Sequence, residues 1–164
     1  MTSPALPPVV VERLSQAQIR SVYPLMREVA PALSLARWLK YARPVATPQA
    51  QRRSGVLVAH RRGVAHPIGA VCYRRDRDML FGSTLTAEHF IAVELLSPEP
   101  VLKALLTELD RVAAELHCAA IRSIVHGGRP GLLDDLRLSG HVVEGVTLTK
   151  KLPVAQQETV AVQQ

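Results

Sequence analysis

The sequence predicts a single α/β domain of the α+β class, and three observations predict it. The chain has 164 residues, and 48% of them are hydrophobic. Runs with strand periodicity alternate along it with stretches of helical periodicity. A chain of this length forms one domain and buries a substantial core. We expect a flexible arm at residues 1–8, a globular domain at 9–152 and a disordered polar tail at 153–164.

Two helices are predicted in the first third of the chain. Ser15 and Gln18 have the spacing of a capping box. The apolar residues that follow recur at helical spacing: Ile19, Val22, Met26 and Val29. Pro24 lies inside this helix and is expected to kink it, because proline lacks an amide donor and crowds the preceding turn. A second helix is expected to begin after Ser34 and to end before Pro44.

The predicted strands of this half are short β-rich runs. Residues 9–11 are consecutive valines and predict a first strand. Two further runs, 55–60 and 68–73, are separated by a short polar spacer that contains a glycine, which predicts a hairpin. Opposite charges alternate over 74–78, which favours a solvated turn. Residues 79–88 are expected to form a short strand and a loop.

The second half of the chain alternates strands and helices. A strand at 89–96 leads directly into a long amphipathic helix that is capped by Ser97, and a strand at 119–125 follows. A helix at 130–139 begins with a proline and ends at a glycine. Residues 142–152 are expected to form a closing strand. The predicted order is therefore β-α-α-β-β-β-α-β-α-β.

The junction at residues 97–100, Ser-Pro-Glu-Pro, is the most informative local feature. A strand that leads into a helix N-terminus favours a bound phosphate, because unpaired amides and the helix dipole both attract an anion. Such junctions usually contain glycines, since the backbone must approach the phosphate closely. This one has two prolines, which lack amide donors, and Glu99, whose charge repels a phosphate. The pattern indicates a phosphate-binding junction without its donors.

The order and lengths of these elements resemble the GNAT superfamily of acyl-coenzyme A (acyl-CoA) dependent N-acyltransferases over residues 9–152. Residues 56–63, followed by 68–71, look like the second and third strands of the family. Residues 140–144, ahead of 147–152, look like its closing segment. The resemblance implies a central, mixed, mostly antiparallel sheet with about four helices on both faces. It also implies acetyl-CoA or another acyl-CoA as cofactor and an amine as acyl acceptor.

The chain departs from the family pattern at two places. The family binds the CoA pyrophosphate with a Gln/Arg-x-x-Gly-x-Gly/Ala loop before its third helix. When residues 103–106 are aligned with the start of that helix, the two glycine positions hold Pro100 and Leu102, and the basic or amide position holds Ser97. When the strand at 92–96 is aligned instead, several residues of the loop are absent. Many members place a tyrosine in the last helix as general acid for the departing thiolate, where this chain has Leu136. The resemblance therefore implies a degenerate CoA site.

Glu94 is the candidate catalytic residue. It lies on the predicted strand where members of the family often keep a general base, which takes the proton of the amine directly or through water. A charged residue at a solvated or ion-paired strand position explains it as well. The backbone of Val93, Leu95 and Leu96 is the candidate for pairing with the pantetheine arm of the cofactor, since such hydrogen bonds do not depend on side-chain identity.

The turn before the last helix is a second candidate cofactor site. Gly127 and Gly128 can present a concave run of N–H groups, and Arg129 adds a positive charge. A plain strand-to-helix turn explains this segment equally. No metal is expected, because the histidines lack ligand spacing such as His-x-x-x-His. His66 and His89 are the two that we consider for the wall of a cleft, although ordinary surface positions explain them too.

Composition restricts the partners. The net charge of +6 comes mainly from arginine, which binds planar anions, but aromatic residues make up only 4% and the basic residues are scattered. Both features argue against nucleic acid. Cys72 and Cys118 lie far apart and predict neither a disulfide framework nor a zinc knuckle. No apolar run reaches the roughly 18 residues of a membrane span, so we expect a cytoplasmic protein without a membrane partner.

Three hypotheses of function remain open. The first is a divergent N-acyltransferase that acts on an unknown amine. The second is a non-catalytic GNAT-like module that binds a protein partner or another small ligand in the same cleft, which the junction at 97–100 supports. The third is an arginine-rich protein that binds acidic surfaces or nucleic acid. A homodimer is compatible with each of them.

Overall fold

A mixed sheet lies at the centre of the computed structural model, which describes residues 6–93, 98–126 and 131–151. These residues form five strands and four α-helices. The strands are β1 (Val9–Arg13), β2 (Ser54–Arg61), β3 (Pro67–Asp78), β4 (Gly82–Ala92) and β5 (Ala120–Ile124). The helices are α1 (Ile19–Val29), α2 (Leu35–Val45), α3 (Glu99–Glu115) and α4 (Leu132–Leu138). Single turns of 3-10 helix lie at Gln16–Gln18 and Ala50–Arg52.

The sheet has the order β1-β2-β3-β4-β5, so that each strand lies beside its neighbour in the sequence. The first four strands are antiparallel to one another, whereas β5 runs parallel to β4. A parallel pair needs a crossover connection, and α3 provides it. The sheet is therefore mixed and mostly antiparallel, as the resemblance to the GNAT superfamily implies.

Two apolar clusters cover the two faces of the sheet. One cluster joins Leu57, Val71 and Leu85 to the buried faces of α3 and α4. The other joins Val56 and Val58 to α1 and α2. Successive residues of a strand point to opposite faces, so neighbouring β2 residues enter different clusters. This arrangement confirms the predicted helices on both faces of the sheet.

The predicted start signals of the first two helices are present. The side-chain oxygen of Gln18 accepts a hydrogen bond from the Ser15 amide at 3.0 Å. At the start of α2 the Ser34 hydroxyl accepts from the amide of Arg37 at 3.2 Å. Each bond satisfies an amide that has no partner within its helix. Local sequence therefore determines where these helices begin.

Both helices contain a proline. α1 continues through Pro24. α2 includes Pro44 and ends at Val45, so the prediction that it ends before Pro44 is wrong. Pro44 lies in the last turn, where the missing amide removes only one hydrogen bond. The amide of Ala46 still donates to the carbonyl of Ala42 at 3.0 Å and closes that turn.

The charged run at 74–78 is a strand, and the prediction of a turn is wrong. β3 continues through it to Asp78, and β4 begins at Gly82. The Asp78 carboxylate accepts hydrogen bonds from the amides of Leu80 and Phe81 at 2.9 and 3.0 Å, which closes the turn between the two strands. Alternating charges have the same period of two as the side chains of a strand. Only hydrogen bonding to a neighbouring strand distinguishes a strand from a solvated turn here.

β4 is one strand, Gly82–Ala92, where the sequence predicts a short strand with a loop at 79–88 and a separate strand at 89–96. Thr86 shows why the prediction fails. This residue is 1% exposed, and its hydroxyl donates to the Asp76 carboxylate at 2.6 Å. A polar side chain that finds a partner on the adjacent strand is tolerated inside a sheet.

The end of the described chain differs from the prediction. The strand expected at 119–125 is present as β5, and Gly140, with φ of 95°, follows α4 as the expected stop. Residues 142–151 have no regular secondary structure, which contradicts the closing strand. Their large apolar residues are at least 71% exposed: Val142, Val143, Val146 and Leu148. A strand-like pattern forms no strand without a neighbour that supplies hydrogen bonds.

The predicted arm and tail lie largely outside the described residues, which exclude 1–5 and 152–164. Their bounds therefore remain predictions. Across the described part of the chain, every helix is too short or too polar to cross a bilayer.

Candidate functional site

β4 contains a bulge near its C-terminal end. Along β3, Ala70 is paired with Ile91 and Cys72 with Glu88, so one β3 residue lies opposite two β4 residues. One of those two is His89, which adopts a left-handed backbone with φ of 58°. A non-glycine residue in this region costs about 1–3 kcal/mol and persists only where its surroundings hold it. The surrounding structure therefore holds the bulge in place.

The bulge separates β4 from β5. The parallel pairing between them ends at Glu88 and Ile124. Beyond the bulge β4 stays attached to β3, and the amide of Val93 donates to the Ile68 carbonyl at 2.8 Å. The two strands therefore diverge toward their carboxyl ends, and a cleft opens between them.

The cleft has a volume of about 380 Å³. Its walls are residues 89–93 of the β4 end and 124–126 of the β5 end. Leu102 of α3 and Leu132 of α4 close one side, and residues 28–29 of α1 contribute from the other face of the sheet. The lining is mainly apolar, and its polar side chains are Glu28, His89 and His126. Such a concave apolar site suits a small ligand.

Most of the predicted site residues lie outside the described part of the chain. These are Glu94, Leu95, Leu96, Gly127, Gly128 and Arg129. Val93 is described, lines the cleft and is 43% exposed. The described residues that come immediately before the two gaps, Val93 and His126, both line the cleft.

The first turn of α3 contains both residues that stand at the family's glycine positions. Pro98 is the N-cap residue and Pro100 follows in the first turn, so two amide donors are missing. The amide of Leu102 donates to the Pro98 carbonyl at 3.1 Å, and its side chain is 2% exposed on the cleft wall. Glu99 places a negative charge in the same turn. The prediction that Ser97 caps this helix is wrong, because Pro98 is the N-cap residue, and Ser97 itself lies outside the described residues.

Leu136 is part of the core. Its side chain is 3% exposed and belongs to the apolar cluster between α3, α4 and the sheet. It offers no proton at this position, whatever the ligand. Among the described α4 residues, Leu132 is the one that lines the cleft.

Three polar side chains meet where β4 and β5 diverge. Nε2 of His126 lies 3.5 Å from Oε2 of Glu88. The rings of His89 and His126 are stacked, with centroids 5.1 Å apart and planes at 21°. Burial lowers the pKa of His89, the Glu88 carboxylate opposes this shift and a charge on His126 adds to it. Both histidines lie on the cleft wall, so the cluster places two imidazoles where a ligand in the cleft can meet them.

Comparison with known proteins shows which fold this is. No protein-family model matches the chain, and no curated protein matches it in sequence. Among solved structures, aminoglycoside N-acetyltransferase AAC(6')-Iy in complex with CoA is 13% identical, with a TM-score of 0.72 over 92% of this chain and 99% of that one. The protein has a GNAT-like fold.

Other solved structures share this GNAT-like fold. A transcriptional regulator from Bacillus halodurans C-125 has a TM-score of 0.73 and 12% identity, over 88% of this chain and 99% of that one. Glucosamine-6-phosphate N-acetyltransferase from Arabidopsis thaliana has a TM-score of 0.69 and 9% identity over the same shares of the two chains. The resemblance read from the order of elements is confirmed at the level of the fold.

Sequence reasoning missed the partnership of Glu88 with His126 in this GNAT-like domain. Spacing rules search for ligands within one helix or one short motif, and these residues are far apart in the sequence. The sequence signal that could have found this cluster is Glu88-His89 near the end of β4 together with His126 just after β5. The carboxyl ends of adjacent parallel strands meet at one edge of the sheet, so both features lie together. Of the two histidines considered for a cleft wall, His89 is there and His66 is not in the lining.

The two cysteines of the GNAT-like domain are free. Burial raises the pKa of the Cys72 thiol to about 12, which keeps it protonated and unreactive. Cys118 lies 3.7 Å from the Ser83 hydroxyl, between Sγ and Oγ. Neither thiol lines the cleft.

Proposed function

We propose that this protein is an acyl-CoA-dependent N-acyltransferase that joins an acyl group to an amine in the cleft between β4 and β5. One observation carries the proposal. The bulge at His89 separates two parallel strands and opens a cleft of about 380 Å³ in a fold shared with an acetyltransferase solved in complex with CoA. An open cleft between strand ends leaves backbone amides and carbonyls free to form hydrogen bonds with a ligand. It also places the reactive end of that ligand next to the side chains at the bulge.

The reaction needs a held thioester, a neutral amine and a stabilised leaving thiolate. The nitrogen lone pair of the amine attacks the thioester carbonyl, the new C–N bond forms and the C–S bond breaks. Glu94 takes the proton that the amine loses, directly or through water. The CoA thiolate leaves and receives a proton from solvent, because Leu136 stands where a tyrosine would supply it.

Binding of the cofactor is divided between two segments. The backbone of Val93, Leu95 and Leu96 pairs with the pantetheine arm, and the turn of Gly127, Gly128 and Arg129 holds a phosphate. The first turn of α3 contributes little, because Pro98 and Pro100 lack amide donors and Glu99 repels the anion. We therefore expect acyl-CoA to bind more weakly than it would to a glycine-rich loop.

A second candidate function rests on the same helix start. A helix whose first turn already has two prolines and an acidic residue needs no phosphate to complete it. This observation favours a non-catalytic GNAT-like module that binds a protein partner or another small ligand in the cleft.

Calorimetric titration of the full chain distinguishes the two functions. Acetyl-CoA and free CoA are titrated separately. If the protein is an acyltransferase, acetyl-CoA and free CoA should both bind saturably at micromolar to submillimolar concentration. Both compounds should occupy the same site. No heat from either compound up to millimolar concentration would overturn it and leave the non-catalytic module.

A further inference from the structure

We propose that Glu88, His89 and His126 form a binding site for a zinc-type transition-metal ion on the wall of the cleft. The two imidazoles and the carboxylate offer one ligand atom each, and these three atoms lie within 4.8 Å of one another. The proposal does not depend on acyl transfer, because it concerns the affinity of these side chains for the metal alone.

The distances are close to those of a metal centre. Zinc bonds of about 2.0–2.2 Å in a tetrahedron place the ligand atoms about 3.4 Å apart. Nε2 of His126 and Oε2 of Glu88 are already 3.5 Å apart. The other ligand-atom distances are at most 4.8 Å, so metal binding requires them to shorten by about 1.4 Å or less. The two histidine rings are stacked with centroids 5.1 Å apart, and they must turn so that their ring planes point toward the ion.

The bulge explains how two successive residues reach one site. In a regular strand the side chains of Glu88 and His89 would point to opposite faces of the sheet. The left-handed backbone of His89 turns its side chain toward the cleft, where its ring meets that of His126 from the end of β5. A strained residue that brings ligand atoms together is a recognised mark of a functional site.

Arg74 orients the carboxylate without occupying both of its oxygens. Its Nη1 donates to Oε1 of Glu88 at 2.8 Å, while Oε2 is the oxygen that faces His126. Arg74 also forms an ion pair with Asp76 at 3.1 Å, so part of its charge is compensated. Hydrogen-bonded carboxylates of this kind are typical of metal sites, where an outer partner sets the direction of the ligand.

The donor set selects the class of metal. Two imidazole nitrogens and one carboxylate oxygen suit Zn²⁺, whereas Mg²⁺ and Ca²⁺ prefer sites made of oxygen. Three protein ligands leave a fourth position of the tetrahedron open. Because both histidines line the cleft, that position is available to water or to a ligand in the cleft.

The test is a calorimetric titration of the full chain with ZnCl₂ after removal of bound metal by a chelator. We expect one Zn²⁺ per chain at micromolar or tighter affinity. His126→Ala and Glu88→Gln should each weaken Zn²⁺ binding at least tenfold. Loss of a residue that only orients a metal ligand already weakens binding by about tenfold, so loss of a ligand should cost at least as much. His126 has 47% of its side chain exposed, so its replacement spares the core. His66→Ala, at an exposed position outside the cleft, is the matched control and should bind as the wild type does.

Two results would overturn the site. One is the absence of stoichiometric heat with the wild type, and the other is an affinity of both variants within threefold of the wild type. A second measurement needs no variant: Co²⁺ bound by the wild-type chain should give the intense visible bands of a tetrahedral complex, and Zn²⁺ should remove them. A spectrum equal to that of hydrated Co²⁺ also contradicts the proposal.

Discussion

The indole Nε1 of Trp38 donates a hydrogen bond to the backbone carbonyl of Ile19 at 2.7 Å. The bond joins α2 to the start of α1, and the Trp38 side chain is 1% exposed between the helices and the sheet. It satisfies the polar atom of a large apolar side chain at the place where that side chain is fully buried. The hydrogen bond therefore adds a directional contact to the apolar packing that holds the two helices on this face.

Replacement of Trp38 by phenylalanine should destabilise the fold. The change removes the hydrogen bond and leaves a cavity, and we expect a loss of about 2–4 kcal/mol in the free energy of unfolding. Urea unfolding monitored by circular dichroism measures it. Arg37→Ala, at the preceding exposed position of the same helix, should change the free energy by less than about 0.5 kcal/mol. Equal losses in the two variants would show that the indole does not join the helices.

Replacement of Gly69 by alanine should strain the contact between β3 and α3. A Cβ atom at this position would lie 2.5 Å from Val101 Cγ1 and 3.0 Å from the Ile91 carbonyl oxygen. Such overpacking costs about 1–3 kcal/mol in the free energy of unfolding. The control is Gly145→Ala, where nothing lies within 4 Å of the added atom. A Gly69→Ala variant as stable as this control would contradict the close packing of helix and strand.

The acid stability of the protein should depend in part on Asp78. Its pKa is lowered from the ordinary 3.8 by the hydrogen bond from Arg122, assisted by the amides of Phe81 and Leu80. A lowered folded-state pKa gives stability that is present above the ordinary value and is lost as the pH falls through the folded-state pKa. The difference in urea midpoint between wild type and Asp78→Asn should therefore shrink between about pH 5 and about pH 2.

The control for this pH series is Asp110→Asn, at an exposed position of α3. Its midpoint should follow that of the wild type throughout the range. A difference between wild type and Asp78→Asn that stays constant with pH would mean that the carboxylate charge is not what Arg122 stabilises.

If acyl-CoA binds, replacement of Glu94 by glutamine tests the proposed base. The amide keeps the shape of the side chain but cannot take the proton, and loss of a general base lowers turnover by about 10²–10⁴-fold. The affinity for acetyl-CoA should change little. Release of CoA thiol in the presence of a panel of amines measures turnover, and Glu144→Gln, at an exposed position, is the control. Unchanged turnover in the Glu94 variant would assign the proton to another group.

Local sequence determined much of the fold. The cap residues Ser15 and Ser34, the helical spacing of apolar residues and the glycine after α4 each act within a few positions of the chain. These signals place all four helices, because helix hydrogen bonds and caps are local. The order of strands and helices then identified a GNAT-like fold before any contact between them was known.

Prediction failed where a distant partner decides the structure. The charged run at 74–78 became strand because β4 lies beside it. The strand-like segment at 142–151 did not become strand, since no strand pairs with it among the residues that the structure describes. Both patterns have the same period of two. Strand identity depends on hydrogen bonds across the ladder, which a single segment does not contain.

The sequence by itself determined the starts of α1 and α2, the helical spacing of Ile19, Val22 and Met26, which α1 buries, and the two prolines that remove amide donors from the start of α3. Tertiary structure alone decided the bulge at His89, the divergence of β4 from β5 and the meeting of Glu88 with His126. The physical reason is the range of the interactions. Caps, prolines and helical periodicity act between near neighbours, whereas a bulge and a side-chain cluster exist only when separate strands are held in register.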